Sequence, residues 1–107
     1  MTHYTCTVRP DPPGDLRITL TGAIDLGSRG DLADAVRTTS TLRPKTIHAD
    51  LSGVSFFSAE GATFLLRLRK LADLDMLSLL IEAPSQPVRR VLAGLGLTDE
   101  FRVGLTT

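Results

Sequence analysis

Ser58 and Glu60 stand two residues apart in "VSFFSAEGATFLL", where two phenylalanines run into a Ser-Ala-Glu-Gly corner and an apolar, helix-like stretch follows. A hydroxyl and a carboxylate so placed admit three roles for the serine: helix cap, nucleophile, or phosphate acceptor. A helix N-terminus presents unpaired backbone N–H groups and a partial positive charge, which favour a serine oxygen, a carboxylate or a phosphate. Ser58 as N-cap with Glu60 in the first turn meets those needs with no further role. The carboxylate contributes about 0.3–1 kcal/mol there.

Nucleophilic catalysis has little to work with. The G-x-S-x-G elbow is absent, since Ser58 is flanked by Phe56, Phe57, Ala59 and Glu60. The histidines are His3, near the start, and His48, inside a stretch that reads as a strand. No Ser-His-Asp set can be argued from them, so the chain is not expected to be an enzyme.

Metal and cofactor chemistry fare no better. One cysteine, Cys6, and two histidines give no ligand spacing. Asp25, Asp31 and Asp34 fall around the start of a helix, where the dipole accounts for acids. Asp50 ends a strand, where it would cap the following turn, and Asp73, Asp75, Asp99 and Glu100 read as solvated. Gly-rich phosphate loops are missing, so no cofactor is expected. Arg67, Arg69, Lys70, Arg89 and Arg90 lack interleaved aromatics. Twelve acidic residues also balance twelve basic ones, which argues against nucleic acid as a partner. Leu66 falls toward the polar side of its helix. It is either an ordinary exposed leucine or, beside Phe56 and Phe57, part of a small apolar docking patch.

These groups must be held by one domain, residues 1–107, because 107 residues build one core and not two. A lone cysteine suits a reducing compartment. No apolar run approaches the roughly 20 residues of a membrane span, and "MTHYTCTVRPD" lacks the apolar centre of a signal peptide. The expectation is a complete cytoplasmic protein, not inserted in a membrane, of open oligomeric state.

Alternation of Tyr4, Cys6 and Val8 with polar residues predicts a strand. "PDPPGD" predicts a turn, and Leu16, Ile18 and Leu20 predict a second strand, together an antiparallel hairpin. A first helix follows, capped by Ser28, with Leu32, Ala35 and Val36 as its stripe, fading near Thr38 to Thr41. "KTIHADL", Lys45 to Leu51, predicts a third strand. A second helix runs from about Glu60 to Ala72 with Gly61, Leu65, Leu68 and Ala72 inward. "LSLLIE", Leu77 to Glu82, is nearly continuously apolar and predicts a strand covered on both faces. "APSQPVRRVLAGLG" predicts a third helix capped by Ser85, with Val88, Val91, Leu92 and Leu95 as its stripe and Gly94 or Gly96 as its stop. A last strand is predicted at Arg102 to Leu105. The order implies an α/β fold with a mixed, mostly parallel sheet of four to five strands, an N-terminal antiparallel hairpin and three to four helices. In such sheets function sits where strand C-terminal ends meet helix N-termini, and the corner lies at that edge.

"LTGAIDLGSRGDL", "IHADLSGVSFFSAEGATFLL" and "APSQPVRRVLAGLGLTDEFRV" together resemble the STAS family, which includes sulfate-transporter tails and bacterial anti-sigma-factor antagonists. The resemblance spans nearly the whole chain in the right order. It implies a bacterial, non-enzymatic domain that binds an anti-sigma factor, usually a serine kinase, and frees the sigma factor. In that family phosphorylation of the corner serine blocks binding and a phosphatase restores it. Transferred residue by residue, the partner-binding candidates are Asp25, Phe57, Ser58, Ala59, Glu60, Gly61, Thr63 and Leu66. This chain departs from the family at the centre of the motif. Where the family has Asp-Ser-Ser-Gly it has Ser58-Ala59-Glu60-Gly61, and Ala23 replaces an upstream glutamate. Glu60 thus occupies the family phosphorylation position and cannot be phosphorylated there. Ser58 or Thr63 is then the alternative phosphosite. Either Glu60 imitates the phosphorylated form in part, or it supports constitutive binding. A second role that the resemblance implies is an accessory subunit of a transport complex, or a small-ligand or nucleotide sensor.

Overall fold

Cys6 pairs with Leu20 and Val8 with Ile18 across the hairpin of β1 (Tyr4–Asp11) and β2 (Asp15–Ile24), so their apolar residues share one face. The structure, a computed structural model, describes residues 3–104. After the hairpin come α1 (Arg29–Leu42), β3 (Thr46–Phe57), α2 (Ala59–Asp75), β4 (Ser78–Glu82), α3 (Gln86–Gly94) and β5 (Arg102–Gly104). Short 3₁₀ turns occupy Leu26–Ser28 and Thr98–Glu100. The strand order is β1-β2-β3-β4-β5, antiparallel at β1–β2 and parallel thereafter.

That order fixes the layers. Each crossover from β2 onward moves one place in the same direction. Right-handed connections therefore put α1, α2 and α3 on the same face of the sheet. Burial follows: Leu16, Ile18, Leu20, Ile47, Ala49, Leu51 and Ile81 are buried beneath the helices with Leu65, Leu68 and Val88. The opposite face carries Thr5, Thr7, Thr19, Thr21 and His48, exposed or half-buried. This corrects the reading of "LSLLIE". The strand is covered on one face only, and Leu80 on the other is half-buried.

Other boundaries moved for local reasons. The third strand runs to Phe57 rather than stopping at Leu51. β2 extends to Ile24, and register shifts at Thr19/Thr21 and Gly22/Ala23 let the pair continue past "DLSG". Asp50 therefore lies within β3, where its Oδ1 accepts from Ser52 N and Ser52 Oγ. The first helix continues to Leu42 because Thr39 and Thr41 turn their hydroxyls onto the carbonyls of Ala35 and Arg37. Ser28 precedes α1 but makes no side-chain cap to it. Leu95 lies outside the buried stripe of α3 and is exposed. Ser85 opens α3 without a side-chain cap. Leu105, the predicted end of the last strand, lies outside the described residues.

Candidate functional site

Two strand ends meet at the corner. Ile24 and Phe57 are register partners, and Ser58 N donates to Ile24 O at 3.0 Å. From these adjacent ends two helical segments start side by side. Asp25 opens one: its Oδ1 accepts from Gly27 N at 2.9 Å, and Asp25 N donates to the buried Ser28 Oγ at 3.2 Å, a reciprocal capping box. Ser58 opens the other. With extended backbone, its Oγ accepts from Glu60 N at 3.2 Å and caps α2. Of the three roles open to Ser58, the geometry satisfies the cap directly. His48 lies ten positions back along the extended strand, at roughly 3.3 Å per residue, far from hydrogen-bond reach of Ser58.

Gly61 sets how closely α2 approaches the strand end. A Cβ at this position would lie 2.2 Å from Phe57 Cε1, so the ring needs the bare backbone. Phe57 is buried in the core, 3% exposed, with Gly61 pressed on it. Within the candidate set, these two therefore shape the corner from inside. Asp25, Ser58 and Glu60 are half-buried, while Ala59, Thr63 and Leu66 are exposed on α2. Phe56 is exposed at the strand end, while its neighbour Phe57 is not.

Glu60 has a partner that sequence reasoning missed. Arg29 Nε, in the first turn of α1, stands 3.6 Å from Glu60 Oε2. The pair closes one end of a groove of about 100 Å³ between α1 and α2, lined by Leu32, Val36, Thr63 and Arg67 among others. A sequence signal existed. A basic residue in the first turn of a helix opposes the dipole, and so invites an acid from elsewhere. Leu26, exposed in the 3₁₀ turn beside the corner, was also not singled out. The larger cleft, about 450 Å³ between α2, β4 and the Thr98–Glu100 turn, lies at the opposite end of the strands.

Among the described residues no group of three or more His, Cys, Asp or Glu could hold a metal ion. No helix among them is long and apolar enough to cross a membrane.

A family model described as "Mlab, STAS domain" matches residues 9–106. No curated protein sequence matches the chain. Among solved structures, an anti-sigma factor antagonist from Mycobacterium paratuberculosis is similar at TM-score 0.81 and 24% identity, covering 94% of this chain and 85% of that one. A serine-to-glutamate variant of RsbS from Moorella thermoacetica is similar at TM-score 0.79 and 14% identity, covering 95% and 87%. The Bacillus cell fate determinant SpoIIAA in its phosphorylated form is similar at TM-score 0.74 and 20% identity, covering 96% and 92%. At these identities the likenesses establish the fold.

Proposed function

Because the chain belongs to the STAS domain family, we propose that it is a non-enzymatic binding protein of the anti-sigma-factor-antagonist kind. It docks a serine-kinase-type anti-sigma factor through the corner and the outer face of α2. Asp25, Ser58, Ala59, Glu60, Thr63 and Leu66 offer the contacts, and Phe57 and Gly61 hold the shape. The single α/β domain acts in the cytoplasm.

The observation that carries this reading is the Arg29–Glu60 pair. Glu60 has no hydroxyl to esterify, so the switch known from relatives cannot run at this residue. A phosphate brings about −1.5 to −2 charge and three acceptor oxygens. Glu60 brings one charge, and Arg29 stands beside it as an internal counter-ion. A partner that meets this corner meets a nearly balanced ion pair rather than a bare dianion. That supports constitutive docking over permanent imitation of the phosphorylated state.

The test is a complex of the chain with an anti-sigma kinase from the same cells, challenged with Mg-ATP. Constitutive docking predicts that the complex persists, with no phosphate on the chain by intact-mass spectrometry. Release coupled to stoichiometric phosphate on Ser58 or Thr63 sinks the proposal.

A further inference from the structure

The sheet face left open by the helices carries a charged cluster drawn from four strands. His48 of β3 stands between two carboxylates. Its Nδ1 is 2.6 Å from Glu82 Oε1 of β4, and its Nε2 is 3.0 Å from Asp15 Oδ2 of β2. Glu82 is 6% exposed, and its two oxygens also accept from the two terminal nitrogens of Arg17 on β2, each at 3.3 Å. Arg17 reaches Asp11 at the end of β1 at 3.5 Å. Other charged groups surround the cluster. Asp50 is next on the same face of β3, and Arg9 of β1 is in register with Arg17. Lys45, just before β3, packs on the Gly14 turn that leads to Asp15.

A neutral imidazole has one N–H donor and one lone pair; only the imidazolium donates from both nitrogens. Carboxylates on both sides of the ring therefore call for the protonated form. In a neutral ring, one lone pair would face a carboxylate oxygen. Glu82 is the buried partner and cannot turn to water, so it keeps the N–H, and the more exposed Asp15 loses its bond.

We propose that His48 is a proton-operated staple that ties β2, β3 and β4 together when charged and releases Asp15 when neutral, leaving the Arg17–Glu82 pair as the side-chain link from β2 to β4. Its position makes the staple consequential. The β3–β4 pairing has five rungs, from Thr46–Ser78 to Asp50–Glu82, so Glu82 sits on the last. Partial burial pulls the imidazole pKa down. The bonds to Asp15 and Glu82 and their negative charges outweigh it, and the net effect is a pKa raised above the ordinary 6.5. A raised folded-state value means that the stabilisation is complete below the unfolded-state pKa and fades as pH rises through the folded one.

The whole chain is followed by NMR, reading the His48 ring resonances from pH 5.5 to 9, with the urea-unfolded chain as reference. Urea midpoints are measured over the same range for the wild type, His48→Gln and Asp15→Asn. The staple predicts that His48 titrates above its unfolded value and that Asp15→Asn lowers the folded value. Wild-type stability then falls with rising pH more steeply than that of His48→Gln. Each unit of pKa elevation multiplies the folded-to-unfolded ratio gained at low pH about tenfold. Titration at or below the unfolded value, no response to Asp15→Asn, or parallel pH profiles for wild type and His48→Gln each overturn the proposal. Asp15→Asn keeps the test valid if His48→Gln fails to fold.

Discussion

Arg29 and Glu60 face each other across the mouth of the groove between α1 and α2, guanidinium nitrogen to carboxylate oxygen at 3.6 Å. Each sits in the first turn of its helix. Glu60 is well placed against its own helix dipole, and Arg29 is badly placed against its own. The pair lets the carboxylate serve both helix starts, and it ties together the two segments that spring from the paired ends of β2 and β3. Arg29 is mostly exposed, so the bond adds little stability, of the order of a surface ion pair. It sets the charge that the corner presents.

Ser58→Ala should destabilise the fold by about 1 kcal/mol, the usual cost of losing an N-cap, because Ser58 Oγ holds the Glu60 amide. Urea denaturation reads this directly, and Ser58→Asp should restore most of it, since a carboxylate also caps. No loss in Ser58→Ala would mean that the hydroxyl is not engaged and is available for other chemistry.

Gly61→Ala should cost about 1–3 kcal/mol, the range for overpacking a core, because the added methyl would meet the Phe57 ring. Adding Phe57→Leu to Gly61→Ala should recover part of the loss, a non-additive result that a double-mutant cycle reads. Strict additivity would place the strain elsewhere.

Cys6 should react slowly with thiol reagents. Burial, helped by the negative charge of Asp31, pushes its pKa up to about 11, so at pH 8 only about one thiol in a thousand is the reactive thiolate. Alkylation of the native chain at pH 8 should lag far behind that of the urea-unfolded chain. Equal rates would contradict the half-buried position of Cys6 on the core face of β1.

The order of strands and helices was legible because alternation and helical spacing are local signals. Cys6 and Val8 announce β1, and Leu65 and Leu68 announce the inner face of α2. What could not be read depended on neighbours distant in sequence. The extension of β3 to Phe57 needs β2 and its two register shifts, which no pattern within "SGVSFF" reveals. The apolar run of β4 suggested two covered faces, and only the sequential strand order places all the helices on one. The corner itself was legible from Ser58, Glu60 and Gly61. Of its counter-ion the sequence shows only that Arg29, basic in the first turn of a helix, invites an acid; that the acid is Glu60 was not legible, because the two meet through the pairing of Ile24 with Phe57. His48 read as an ordinary strand residue for the same reason: Asp15 and Glu82 flank it only once β2, β3 and β4 are assembled.

The most direct measurement is calorimetry of the chain against the proposed anti-sigma kinase for the wild type, Glu60→Arg, Arg29→Glu and the double exchange, with Arg9→Glu on the open sheet face as a control. The account predicts that Glu60→Arg changes Kd at least several-fold, that the double exchange recovers part of the effect, and that the control stays near wild type. Equal affinities across the series would contradict docking at the corner.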